Sequence, residues 1–185
     1  SDVCSSDLDY FDIFEVQEGR QIGVLLVDSE THGMVAALLS ILLKLKIDDF
    51  KKRFETPASF LEHLEQELGE TTKNGIPQIH LFFGILDRKT LSLTYASNGS
   101  LQPFIWRHKK AVPMTPTLGE TTLDLKPGDT LILSTNGLQK VLGGQKELNQ
   151  ILATLPEPIQ LNHLKNILMG RIDAHIDQAK LSDDI

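Results

Sequence analysis

The sequence predicts an α+β fold built from antiparallel strands and paired helices. Short turns join successive stretches of strand character, which indicates hairpins, and the helical stretches come in pairs rather than alternating with single strands. The chain has 185 residues, of which 41% are hydrophobic and 23% charged. This size and composition are typical of one globular domain.

The first hairpin is predicted over residues 9–27. Residues 9–15 mix apolar and acidic side chains as a half-buried strand does, and Gln17-Glu18-Gly19 supplies the turn. Residues 20–27 are apolar almost throughout, which is typical of a strand in the centre of a sheet.

Two helices are expected next. The run 34–45 is apolar on nearly every face, so we expect a helix buried between other layers. Thr56-Pro57 is a favoured start for a second helix, and the apolar residues before Gly69 fall on one side of it: Phe60, Leu61, Leu64 and Leu68. This amphipathic helix is expected to cover a sheet.

The remainder of the chain alternates between strand and helix character. Four strands are predicted, at residues 79–86, 91–96, 103–107 and 130–134. Two further helices are predicted at 145–155 and 159–179, separated by the helix-breaking segment Pro156-Glu157-Pro158.

Charge and hydropathy exclude two classes of function. A formal net charge of −7, with scattered Lys and Arg, argues against nucleic-acid binding, which needs a clustered positive field. No apolar run approaches the roughly twenty residues of a bilayer span. Cys4 is the only cysteine, so no intrachain disulfide can form, and a reducing cytoplasm fits.

The first eight residues are set apart from the domain. Residues 1–8 resemble the in-frame translation of a sequencing adapter, so we expect native sequence to begin near Asp9. The predicted domain therefore runs over residues 9–185 and is expected to be cut at both ends.

Acidic and amide residues recur at predicted strand ends: Asp9, Asp12, Asp28, Asn136, Asp183 and Asp184. Each one alone is more often a turn residue or a helix cap. Brought together, their oxygens would bind hard cations such as Mg²⁺ or Mn²⁺. Such cations make an acidic pocket attractive to a phosphoester and activate a bound water.

The order and spacing of these residues resemble the SpoIIE/RsbU branch of the metal-dependent serine/threonine protein phosphatases, the PPM family. The resemblance covers almost everything from Asp9 to Ile185 and rests on six segments: 9–12 (DYFD), 27–33 (VDSETHG), 95–99 (YASNG), 127–129 (PGD), 135–138 (TNGL) and 182–185 (SDDI). As a set these motifs are specific, although PGD alone is not.

The resemblance implies a four-layer α-β-β-α sandwich of two antiparallel sheets flanked by helices, with two Mn²⁺ or Mg²⁺ ions at one edge. It implies Asp9 and Asp28 as the catalytic residues, and a metal site formed by Asp9, Asp28, Ser29, Asn136 and Asp183. The reaction would be hydrolysis of phosphoserine or phosphothreonine by metal-activated water.

The resemblance also implies partners and location. The expected substrate is a phosphorylated regulatory protein, of the STAS-type anti-anti-sigma class, in bacterial signalling. The catalytic domain is expected in the cytoplasm, with membrane attachment only through a region ahead of Asp9, and a homodimer is allowed. Helices within 34–68 are expected to couple regulatory inputs to the site.

The chain departs from the family pattern at the site itself. Asn136 stands where a metal-binding aspartate is usual, which removes a charge and predicts weaker binding of the second metal. Ser100 replaces a usual histidine. Glu30 is either a compensating carboxylate or a solvent-facing residue, and His32 either a general acid or a structural residue in a loop.

Two functions of different class follow from these departures. In the first, the domain is an active phosphatase in which Asn136 is tolerated. In the second, it is a degenerate phosphatase fold that binds a regulatory partner without catalysis.

Overall fold

The computed structural model describes residues 7–53, 56–71, 79–99, 101, 103–135, 137–138, 142–156 and 159–176. The strands are β1 (Asp7–Val16), β2 (Gln21–His32), β3 (Ile79–Asp87), β4 (Ser92–Asn98), β5 (Phe104–Arg107), β6 (Lys110–Pro113), β7 (Thr121–Asp124) and β8 (Thr130–Ile132). The helices are α1 (Gly33–Arg53), α2 (Pro57–Thr71), α3 (Gln145–Ala153) and α4 (Leu161–Ile176).

The strands form two antiparallel sheets, with orders β1-β2-β3-β4-β7 and β6-β5-β8. The chain divides into two compact units, one of residues 1–101 and 116–125 and the other of residues 102–115 and 126–185. The predicted α+β class is confirmed. Strands β6 and β7 are not predicted, because each has only four residues and little apolar periodicity.

The β1–β2 hairpin sorts its side chains onto two faces. Its turn puts Gln17, Glu18 and Gly19 at positive φ. Since alternate residues of a strand point to opposite faces, Phe14 and Val27 lie on the face covered by helices, and both are buried. Phe11 and Ile13 lie on the other face and are 75% and 64% exposed. The predicted half-buried strand is thereby confirmed.

Helices α1 and α2 pack on the helix-covered face of the five-stranded sheet. The centre of this core is a cluster of four aromatic rings, with centroid separations from 4.6 to 6.4 Å: Phe14, Phe50, Phe60 and Phe83. Edge-to-face contacts predominate, which suits the quadrupoles of the rings. This packing fixes the hairpin and both helices as one body.

The prediction that α1 is buried on nearly every face is wrong. Its residues Leu39, Leu43 and Ile47 are buried in the core. The opposite side carries an exposed apolar stripe, hereafter the α1 stripe, at a spacing of four, three and four residues: Met34, Leu38, Ile41 and Leu45, each 58–80% exposed. An apolar run does not by itself show that both sides are covered.

Helix α2 begins as predicted. The backbone N–H of Ser59 donates to Thr56 Oγ1 at 3.3 Å, and the N–H of Thr56 donates to Ser59 Oγ at 3.0 Å. This reciprocal pair satisfies donors that a helix start leaves open. Phe60, Leu61 and Leu64 are buried in the core, so the helix is amphipathic as expected.

The second unit packs α3 and α4 against strands of its own sheet. Its core includes Phe104, Trp106, Leu148 and Leu152. Arg107 Nε donates to Asp129 Oδ1 at 2.8 Å, and Arg107 also pairs with Asp129 Oδ2, which in turn accepts from the N–H of Lys126 at 2.7 Å.

The Arg107 hydrogen bond is the main reason that the pKa of Asp129 lies below its usual value. The Pro-Gly-Asp motif is therefore a structural clamp in this chain.

Among the residues that the structure describes, no helix is long and apolar enough to cross a membrane.

Candidate metal centre

Asp9 and Asp28 lie directly opposite each other on neighbouring antiparallel strands. They are Cα partners in the β1–β2 register. Residues paired in this way place their Cβ atoms about 4.5–5.5 Å apart on the same face of the sheet. Two carboxylates at that spacing repel each other, and a divalent cation between them would relieve the repulsion.

The pair lies on the sheet face that is not covered by α1 and α2. Val27 and Leu81 point into the helix-covered core, so their neighbours Asp28 and His80 point to the opposite face. Asp28 and His80 are Cα partners across β2 and β3. The structure thus places Asp9, Asp28 and His80 in one row across three strands.

Ser29 differs from Asp28 in the direction of its side chain. It is only 1% exposed and, by strand alternation, lies on the helix-covered face. If Ser29 contributes to the predicted metal site, the ligand would have to be its backbone carbonyl, because its hydroxyl is on the wrong face.

The segment leading to His32 is strand rather than the predicted loop. Strand β2 continues to His32, and a register shift follows the Leu8–Ser29 pair, so that Asp7 pairs with His32. Glu30 and Thr31 are therefore left without a partner in β1, as in a β-bulge. The loop interpretation of His32 is wrong, while the side-chain roles suggested for Glu30 and His32 remain predictions.

The other predicted metal ligands, Asn136 and Asp183, lie outside the described residues, as does Ser100. Within the described part of the chain, no group of three or more His, Cys, Asp and Glu side chains could hold a metal ion. Asp9 and Asp28 nevertheless supply oxygen donors, which is the chemistry that Mg²⁺ and Mn²⁺ prefer. The chemistry of this described pair suits such a cation, and the roles of Asn136 and Asp183 remain predictions.

Two residues of the sheet were given no role in the sequence analysis, His80 beside Asp28 and Asn98 on the helix-covered face. His80 has no ligand spacing in the sequence, but the β2–β3 register puts it across from Asp28. Asn98 Oδ1 accepts from the N–H of Leu81 at 2.7 Å, and its Nδ2 donates to Glu65 Oε1 at 2.5 Å. No signal in the sequence fixes this register, because α1 and α2 separate β2 from β3 along the chain.

Comparison with solved structures shows the fold. The SiaA-PP2C domain of Pseudomonas aeruginosa matches with a TM-score of 0.80 at 17% identity, covering 95% of this chain and 77% of that one. The phosphatase domain of SpoIIE from Bacillus subtilis matches at 0.68 and 16% identity, covering 94% and 80%. RsbX, solved in complex with magnesium, matches at 0.67 and 15%, covering 89% and 81%.

Sequence comparison assigns the family. Curated proteins gave no significant match to the chain. The family model described as Stage II sporulation protein E (SpoIIE) matches residues 18–185, which is well over half of the chain. The solved structures above share the fold of this chain. The chain therefore belongs to the SpoIIE family of phosphatase domains.

Proposed function

We propose that this domain hydrolyses phosphoserine or phosphothreonine on a bacterial regulatory protein and requires Mn²⁺ or Mg²⁺. The observation that carries the proposal is the Asp9–Asp28 pair, opposed across two strands at the positions where the family motifs place metal-binding aspartates. Like charges directly opposite each other destabilise strand pairing, and a divalent cation bound by both carboxylates would offset that repulsion.

The residues of the chain have separate parts in the proposed reaction. Asp9 and Asp28 hold the cation-binding oxygens at a fixed spacing, since both belong to one hairpin whose other face is anchored in the aromatic core. When bound, divalent cations activate a water and neutralise the charge of the phosphoester. Attack of water on phosphorus breaks the bond to the serine or threonine oxygen and leaves inorganic phosphate and the free hydroxyl.

The finer predictions from the family resemblance belong to the same proposal. Asn136 and Asp183 would complete the metal site, the substrate would be a STAS-type anti-anti-sigma factor, and the domain would act in the cytoplasm. That residues 1–8 lie outside the native domain is proposed on a separate ground, their likeness to a translated sequencing adapter. For the homodimer, the α1 stripe offers an exposed apolar surface.

The test is phosphate release from a phosphoserine peptide by the purified chain with and without Mn²⁺. We expect turnover with Mn²⁺ and none after chelation by EDTA. Asp173→Asn is a matched control, because Asp173 is an exposed carboxylate on α4 and should leave activity unchanged. A folded protein that shows no turnover at any Mn²⁺ concentration would instead support a regulatory binding module.

A further inference from the structure

We propose that the apolar surface beside the Asp9–Asp28 pair binds the substrate protein next to its phosphorylated residue, through apolar side chains at alternate positions. The inference rests on the proposed phosphatase function and adds the substrate features that this face of the hairpin would recognise. The surface, hereafter the hairpin patch, consists of two cross-strand pairs: Phe11 with Leu26, and Ile13 with Val24.

The hairpin patch continues directly from the proposed metal site along the same two strands. Asp9, Phe11 and Ile13 are alternate residues of β1, so they share one face of the sheet. Their partners on β2 are alternate residues as well, so successive rows lie side by side. Since a strand rises about 3.3 Å per residue, each row is about 6.6 Å from the next. A phosphoryl group at the Asp9–Asp28 row would therefore place neighbouring residues of the substrate over the hairpin patch.

The apolar side chains of β1 on this face are exposed, unlike those farther across the sheet. Phe11 and Ile13 are 75% and 64% exposed, and their partners on β2 are half-buried. On β3 and β4, Phe82 and Tyr95 lie on the same face but are buried, with their rings stacked at a centroid distance of 5.7 Å. An exposed apolar surface with polar residues at its rim is typical of an interaction site.

The charges at the two ends of the hairpin patch define the chemistry of its partner. The Asp9–Asp28 row lies at one end, and Glu15 is exposed at the next position after Ile13 on this face. A bound divalent cation would make the first end attractive to a phosphoryl group. The Glu15 carboxylate would attract a cationic side chain. The complementary ligand therefore carries a phosphoryl group, then apolar side chains, then a Lys or Arg.

The same charges favour the substrate over a second copy of the chain as the occupant. Both ends of the hairpin patch are acidic, so a second copy packed on it would bring its own acidic ends against Asp9, Asp28 and Glu15. Such like-charge contacts oppose association. A substrate with a basic residue beyond its apolar side chains meets no such repulsion.

The test measures binding of two peptides to the full chain in saturating Mn²⁺ by calorimetry. Both carry a non-hydrolysable phosphonate in place of phosphoserine and a lysine six positions away. One has leucine at the second and fourth positions between them, matching the alternate residues of a strand, and the other has serine there. Each is made in both chain directions. We expect the leucine peptide to bind about ten-fold more tightly in at least one direction, because its side chains bury apolar surface.

Three variants of the hairpin test the surface itself. Phe11→Thr removes the largest side chain of the hairpin patch and should abolish most of the preference for the leucine peptide. Ile13→Thr should reduce the preference less, because a smaller apolar side chain is lost. Glu15→Gln should weaken both peptides about two- to five-fold, as expected for an exposed ion pair. Val112→Thr, at a 42% exposed position of β6, is the matched control and should retain the full preference.

Three results would overturn the proposal. The first is equal affinity of the leucine and serine peptides for the unchanged chain. The second is an equal loss of both peptides in Phe11→Thr, which a purely structural role of the ring would produce. The third is a dimer, detected by sedimentation of the chain alone, that Phe11→Thr converts to a monomer, because the hairpin patch would then be covered by a second copy.

The readout also keeps this inference distinct from the proposed function. Phosphonate binding needs no turnover, so a chain that prefers the leucine peptide through Phe11 but hydrolyses no phosphopeptide would contradict only the phosphatase activity. A chain that hydrolyses the phosphoserine forms of the leucine and serine peptides with equal kcat/KM would contradict only the role of the hairpin patch.

Discussion

The carboxylates of two acidic regions of the molecule have opposite environments. In the turn before β8, Asp129 receives two hydrogen bonds from Arg107 and one from the backbone of Lys126, and its side chain is 4% exposed. On the β1–β2 hairpin, Asp9 and Asp28 face each other across the strands. The first arrangement neutralises a carboxylate inside the fold, whereas the second concentrates negative charge on one face of a sheet.

The difference separates a motif residue that stabilises the fold, Asp129, from one that we propose to bind a metal ion, Asp28. Asp129 belongs to the Pro-Gly-Asp motif and Asp28 to the first hairpin, and both follow the family pattern. Only the structure shows that one carboxylate clamps a turn while the other stands beside a second carboxylate. Substituting Asp28 should therefore change mainly metal-dependent turnover, and substituting Asp129 should change mainly stability.

The largest effect is expected from Asp28→Asn. We expect Mn²⁺-dependent phosphopeptide turnover to fall about a thousand-fold or more. Loss of a charged metal ligand should raise the activation free energy of hydrolysis by several kcal/mol. The metal-free protein should become more stable, by about 0.5 kcal/mol, because a repulsion across the strands is removed. Urea unfolding in EDTA measures this gain, and a clear loss of stability would contradict the comparison.

Asp129→Asn should show the reverse pattern. It removes the charge that accepts two hydrogen bonds from Arg107, so we expect the free energy of unfolding to fall by about 2 kcal/mol. Thermal unfolding should then show a midpoint several degrees lower. Glu120→Gln, which changes an exposed carboxylate, is the matched control. A loss of metal binding without a loss of stability would place Asp129 in the site instead.

The stability effect of Asp129 should also depend on pH. Its pKa in the folded protein lies below the usual value, chiefly because of the Arg107 hydrogen bond. The stabilisation is therefore fully present above the unfolded pKa of about 3.9 and is lost as the pH falls through the folded pKa. The unchanged chain and Asp129→Asn should differ in urea unfolding at pH 7, and the difference should shrink as the pH falls below the unfolded pKa of about 3.9.

Asn136→Asp tests whether the hairpin site depends on a residue far along the chain. Restoring a carboxylate at this position should raise Mn²⁺ affinity about ten-fold, because an anionic oxygen binds a hard cation better than an amide does. The increase should disappear when Asp28→Asn is introduced in the same chain. Unchanged Mn²⁺ affinity in the single variant would remove Asn136 from the site.

The sequence predicts the hairpins and helices well where one signal decides them. Thr56-Pro57 defines the start of α2, and the apolar run after Arg20 identifies a central strand. The prediction from the sequence fails for the burial of α1. The residues facing the core and those in the α1 stripe are equally apolar, and only packing distinguishes them. His80 was missed because its significance lies in cross-strand register, which the order of residues along the chain does not display.

The smallest effect is expected from Lys44→Gln, which removes an ion pair between α1 and β1. Lys44 Nζ lies 3.0 Å from Asp12 Oδ2 and is 53% exposed, and this hydrogen bond is the main reason that its pKa is raised. Water and salt screen such a pair, so the thermal midpoint should stay within about 2 °C of the unchanged chain. Lys89→Gln provides the control for loss of an exposed charge. Asp12 lies on the helix-covered side of β1 and Asp9 on the other side, so Lys44→Gln should not change Mn²⁺ affinity. A changed Mn²⁺ affinity would show that a charge on one face of the hairpin affects metal binding on the other.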